Sequence, residues 1–217
     1  MAQRTIHYVF GELLLRECPV RDRQRFLLGS ILPDAYADRS DREATHLMDH
    51  SRTGWSVFDF DAFRERFGAE MAADDLYLGY YMHLVEDNFY RRFFRERLGV
   101  AIDAQNAEQI AVLHRDYTLL NAYIVSHFGI KNELTRPADF EREPICALAT
   151  FDLDGFLAKF DADFSETAQG RTHYLTEAML EDYLALYRGD CLRELRTVQA
   201  GGRWLRAADM AWTNERE

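Results

Sequence analysis

The sequence predicts an all-α fold, a single-domain helical bundle of about six or seven helices. Apolar residues recur at spacings of three and four along most of the chain, and alternating strand patterns are nearly missing. The 217 residues are 47% apolar and 29% charged with only four prolines, and no repeat, low-complexity run or linker divides them. Residues 1–217 are therefore read as one domain packed around one core.

Short helices are expected at 5–16, 21–29 and 59–67. The strongest signal covers 74–98, where Leu76, Tyr80, His83, Leu84, Asp87 and Tyr90 or Arg91 share one broad face. Asp74 or Asp75 supplies its N-cap and Gly99 its stop. A second long helix is read over 103–128, with Ile110, Leu113, His114, Tyr117, Leu120, Asn121, Ile124 and Val125 as its stripe and Gly129 after it. A short helix follows at 154–164. The last long one begins near 172, carries Tyr174, Leu175, Met179, Tyr183, Leu184 and Leu186, and meets an interruption at Gly189. The two least periodic stretches, 33–42 and 130–143, read as surface loops, and the chain after Gly201 as a short helix or frayed tail.

Composition and missing motifs exclude several functions. With 26 Lys+Arg against 37 Asp+Glu, the net charge of −11 opposes docking on nucleic-acid phosphates or an anionic membrane, so no stable nucleic-acid binding is expected. A phosphate ester can still be held if bound cations reverse the local field. The first 15 residues carry Arg4, His7 and Glu12 within their apolar stretch and resemble no secretory signal; no run suits a membrane anchor. Cys18, Cys146 and Cys191 are odd in number and widely spaced, so reduced thiols and a cytoplasmic location are expected. There is no GxGxxG, GxxxxGK[ST] or GxSxG.

The chemistry lies in scattered His and Asp residues. His83 and Asp87, at i and i+4 in the 79–87 stretch GYYMHLVED, project from one helix face and can chelate one ion. The 26–34 stretch FLLGSILPD runs through Pro33, read as forcing Leu32 into an extended conformation, into a lone carboxylate, Asp34. His46 and His50 again stand at i and i+4, with one expected to face the site and the other the surface. His7 sits among apolar neighbours in the first helix.

Together these residues resemble the zinc-dependent phospholipase C family, whose wider relatives include single-strand-specific nucleases. The shared pattern is an early His (His7), a GxxxPD turn (Gly29 to Asp34), a downstream His (His46) and an HxxxD helix (His83, Asp87); it spans roughly residues 5–95. The resemblance implies a phospholipase C/nuclease-like helical fold with Asp34, His46, His83 and Asp87 on one zinc, and Asp87 bridging to a neighbouring ion bound by His7. It implies two or three zinc ions that hold phosphate oxygens and activate a water for attack on phosphorus, with Asp34 and Asp87 as the catalytic carboxylates. Family members also use a mature N-terminal Trp as a ligand, whereas this chain reads Met1-Ala2-Gln3-Arg4. They add later ligands, for which the candidates here are His114, His127 and the pair His173/Glu177, with His114 the foremost. An HD-domain phosphohydrolase is excluded because no His is followed directly by Asp.

The function expected is a metal-dependent phosphoric ester hydrolase acting on a small phosphate-ester or phospholipid-like substrate. A non-catalytic, metal-stabilised helical binding module is the alternative, and a metal-free interaction domain requires His7, Asp34, His46 and His83 to be far apart. The aromatic clusters Phe58/Phe60/Phe63/Phe67 and Phe89/Tyr90/Phe93/Phe94 read as core, and Arg91, Arg92, Arg95 and Arg97 as a solvated basic helix end that complements the helix dipole, with a phosphate-binding role for one of them as the alternative.

Overall fold

A computed structural model describes residues 2–51, 54–96 and 106–213. Among them are eight α-helices: α1 (Arg4–Leu15), α2 (Arg23–Gly29), α3 (Arg42–Thr45), α4 (Phe60–Ala73), α5 (Asp75–Glu96), α6 (Ala107–Phe128), α7 (Leu153–Phe164) and α8 (Glu177–Gln199). The fold is all-α, with one helix more than expected because the single turn of α3 has too few residues to show a period. The expected ends at 97–105 lie outside the described residues.

Five helix starts have a local cause. Asp22, Asp59, Asn106, Asp152 and Thr176 cap α2, α4, α6, α7 and α8 by accepting from backbone N–H groups of the first turn. Gly129 closes α6 in the left-handed region at φ 61°. Gly189 does not interrupt α8, which runs through it to Gln199. The helix expected to start near 172 begins at Glu177; before it, the Asp116 carboxylate accepts the N–H groups of His173, Tyr174 and Leu175 and keeps that segment outside a helix.

The helix α5 is the axis of the core. Every residue from Asp75 to Tyr90 is buried, so the one-faced stripe read from the sequence becomes burial all round. It packs against α2, α4 and α8, while α1 lies against α2, α6 and α8. The crossing of α2 with α5 is backbone on backbone: a Cβ on Gly29 would stand 2.0 Å from the Leu76 carbonyl oxygen, and one on Gly79 2.0 Å from the Phe26 carbonyl oxygen. Only glycine fits at either position.

Several local expectations are corrected. A small antiparallel sheet of β1 (Met48–Asp49), β2 (Trp55–Phe58) and β3 (Trp212–Thr213) is present, in that order, its strands too short to show alternation. It places Phe58 on a strand and part of the expected tail in a sheet. Leu32, Pro33 and Asp34 form a 3₁₀ turn rather than an extended entry, since a proline in a first turn has no needed donor to lose. Pro33 is buried there, and a bridge between Tyr36 and Phe151 ties the following residues down, so 33–42 is only partly a surface loop. The 130–143 loop likewise anchors itself through buried Ile130 and Phe140.

Candidate metal centre

Four elements bring the predicted residues together. His7 comes from α1, Asp34 from the 3₁₀ turn after α2, His46 from the end of α3, and His83 and Asp87 from α5. His7, His46, His83 and Asp87 are wholly buried, whereas the Asp34 side chain keeps 13% exposure. His46 Nε2 lies 3.4 Å from Asp34 Oδ1, 3.3 Å from His83 Nε2 and 3.7 Å from Asp87 Oδ2, and His83 Nε2 is 3.7 Å from Asp87 Oδ2. Donors about 2.0–2.1 Å from one zinc stand about 3.3–3.4 Å apart in a tetrahedron. The separations from His46 to Asp34 and to His83 match that edge, and the two to Asp87 are longer.

The ring tautomers decide what these contacts mean. His83 Nδ1 is 2.8 Å from the Ser30 carbonyl oxygen, and His46 Nδ1 is 3.0 Å from the Arg42 carbonyl oxygen. A carbonyl only accepts, so Nδ1 donates in each contact and each Nε2 faces the cluster; the Thr45 hydroxyl also lies 3.0 Å from His46 Nδ1. The two Nε2 atoms face each other at 3.3 Å, with carboxylates beside them. A backbone carbonyl on the far nitrogen is the usual support of a ligating imidazole. Chain geometry fixes both supports. The glycine crossing of α2 and α5 carries Ser30 onto His83, and Leu47, at φ 43°, turns the chain directly after His46.

His7 makes a second group with His83 and Asp87. Its Nδ1 lies 2.9 Å from Glu86 Oε2, its Nε2 3.3 Å from Asp87 Oδ1, and its ring stacks on His83 at 3.8 Å between centroids. The Ala2 N–H donates to the same Asp87 Oδ1 at 3.0 Å. Burial opposes a charge on His7, but the contacts with Asp87 and Glu86 outweigh it and raise its pKa to about 10. Burial and the charge of His7 hold His83 down at about 3. Burial lifts Glu86 to about 7 against the pull of His7. Asp87 moves the other way: burial resists its charge, yet the contact with His7 holds it well below the ordinary carboxylate range. Asp34, though desolvated, is also lowered, by His46 first.

The buried carboxylates of Asp75, Asp116 and Glu194 all accept hydrogen bonds from nearby backbone or side-chain donors. Among the described residues, His7 Nε2, Glu86 Oε1 and Asp87 Oδ2 are buried and without a hydrogen-bond partner, as is Asp163 Oδ2 elsewhere. A buried orphan costs about 1–3 kcal/mol, more when charged, and a cation held between His7, His83 and Asp87 would satisfy two of them. The donor set, imidazole and carboxylate, suits zinc and neighbouring transition metals.

Other candidates fall elsewhere. His114 is on the exposed side of α6, its ring 6.2 Å from that of Tyr117, and belongs to neither group of metal donors among the described residues. Its helix turns Asp116, Tyr117 and Leu120 inward, which leaves His114 outside. His127 is exposed and 3.3 Å from Glu181, and His173 and Glu177 are exposed. His46, not His50, faces the site; α3 ends before a full i,i+4 turn forms, and exposed His50 meets Ser56 Oγ at 2.7 Å.

Sequence reading missed Glu86, whose position beside Asp87 in the run HLVED was the available signal. It also missed the support from Ser30, which is a backbone group and leaves no mark in the sequence. No family model, no curated protein and no solved structure matches the chain.

Proposed function

We propose that this chain is a metal-dependent hydrolase of phosphate esters, phospholipase C-like in its ligand order. Asp34, His46, His83 and Asp87 would hold one zinc, and His7 with Asp87 a second. The observation that carries this proposal is the approach of the His46 and His83 Nε2 atoms to 3.3 Å beside Asp87 Oδ2, which has no hydrogen-bond partner among the described residues. Zinc bound there supplies Lewis acidity, lowering the pKa of a water to about 7 and polarising a phosphoryl oxygen.

The chain's own residues set the rest. Asp34 alone among the donors reaches solvent, so substrate meets the cluster from its side. Asp87 offers one oxygen to each group, Oδ1 towards His7 and Oδ2 towards His46 and His83. Glu86 orients His7 so that Nε2 points at Asp87. With a net charge of −11, the surface repels phosphate and capture depends on these few groups.

A structural metal in a binding module is favoured by a different observation. Asp34, His46, His83 and Asp87 would leave no open position if all four held one ion, and two clefts of about 150 and 110 Å³ are lined by other residues. Turnover of bis(p-nitrophenyl) phosphate by zinc-loaded protein separates the two. Hydrolysis that chelator and Asp34→Asn both abolish supports the hydrolase. Zinc-dependent thermal stability with no turnover of diester, monoester or nucleic-acid substrates supports the module instead.

A further inference from the structure

Arg91 does not behave as the solvated helix end expected of it. It follows His83 and Asp87 at i+8 and i+4 on α5, one turn or about 6 Å beyond Asp87. Its guanidinium carbon lies 5.1 Å from the Trp212 ring centre and 6.0 Å from that of Phe58. Phe58 in turn lies 5.6 Å from the His46 ring, so one aromatic side chain touches both the metal donors and the arginine. Arg91 Nε is buried without a hydrogen-bond partner, and among the described residues no carboxylate pairs with the guanidinium.

That combination is costly for structure alone. Arg92, one position on, contacts Glu96 and the Asp209 carbonyl, and the interior arginines Arg4 and Arg25 meet Asp163 and Asp74. Among the described residues Arg91 meets aromatic faces instead of a carboxylate, beside an acidic cluster. Rings that cover the flat faces of a guanidinium leave its donor edge to an oxyanion, and its fork matches two oxygens of one phosphate.

We propose that Arg91 is an anion-binding residue beside the metal cluster, receiving two non-bridging oxygens of a substrate phosphoryl group. The proposal rests on the phosphoesterase reading and narrows it: phosphate esters are selected over carboxylic esters and amides, whose carbonyl offers no paired anionic oxygens. Burial depresses the Arg91 pKa, as does nearby Arg42, and an arriving anion relieves both.

The test measures binding of inorganic phosphate by calorimetry to zinc-loaded, desalted protein and to protein in chelator. Wild type is compared with Arg91→Met, which keeps the apolar stem against the rings. Wild type is expected to bind phosphate about tenfold or more tighter than Arg91→Met, as loss of a charged hydrogen-bonding pair implies, with zinc content and near-ultraviolet dichroism unchanged. Arg91→Gln is a second neutral variant with the same expectation if the Met variant fails to fold. Equal affinity in wild type and the neutral variants, or no phosphate binding by wild type in either state, overturns the proposal. Failure of the metal centre shows separately, as wild-type zinc below a tenth of an equivalent, while the chelator arm still judges Arg91.

Discussion

Gly79→Ala tests whether the helix crossing builds the metal centre. The added Cβ would lie 2.0 Å from the Phe26 carbonyl oxygen and 2.9 Å from the Ser30 nitrogen, both backbone atoms that no rotamer change can move. Restoring even 3.0 Å requires α2 and α5 to part by about 1 Å, and overpacking of this kind costs about 1–3 kcal/mol. Alanine returns up to about 1 kcal/mol through helix propensity, so the net loss is about 2 kcal/mol at the upper end. For a chain of 217 residues that lowers the Tm by about 4–8 °C. The same shift draws the Ser30 carbonyl away from His83 Nδ1, now at 2.8 Å, and zinc affinity should fall about tenfold, as for other losses of ligand support. Gly189→Ala is the control: nothing lies within 4 Å of its Cβ on the exposed side of α8, and it should stabilise by about 0.5–1 kcal/mol. Thermal unfolding with and without zinc reads all of this. A Gly79→Ala protein as stable as wild type and equal in zinc affinity would refute the positioning argument.

Asp87→Asn should lose both ions, because each donor group uses one of its oxygens, whereas His7→Gln should retain one; zinc titration against a competing chelator distinguishes them. Metal-free protein should lose stability as pH rises from 6.5 towards about 10, since His7 stays protonated in the folded state after its unfolded counterpart has released its proton. The sign follows from the raised folded pKa, and Glu86 adds a loss of the same sign up to about 7. Denaturant unfolding between pH 6.5 and 8.5 should give a flatter profile for His7→Gln; parallel profiles would count against it. His114→Ala should leave zinc content and affinity unchanged, in keeping with its exposed position.

The long helices and the Gly129 stop were legible because period and cap chemistry are local. Asp22, Asp59 and Asp152 cap their helices but were not singled out in the sequence, where each stood inside or beside an expected helix. The convergence of His7, Asp34, His46, His83 and Asp87 was readable only as a resemblance in residue order; their separations depend on helix crossings that no local pattern encodes. His114 fell outside because its stripe on α6 was read one residue too broad. Arg91 was misread for a related reason: its partner Trp212 arrives from 121 residues away on a strand too short to announce itself. Total burial of α5 similarly hid Glu86, since a one-face stripe assigns half of a helix to solvent.

The most direct test of the central claim is elemental analysis of protein purified without chelator, repeated after reconstitution with zinc. One to two equivalents of a divalent transition metal, falling to none or nearly none in a combined His46→Ala, His83→Ala variant, is the expected result. Less than a tenth of an equivalent of any such metal, even after reconstitution, would contradict it.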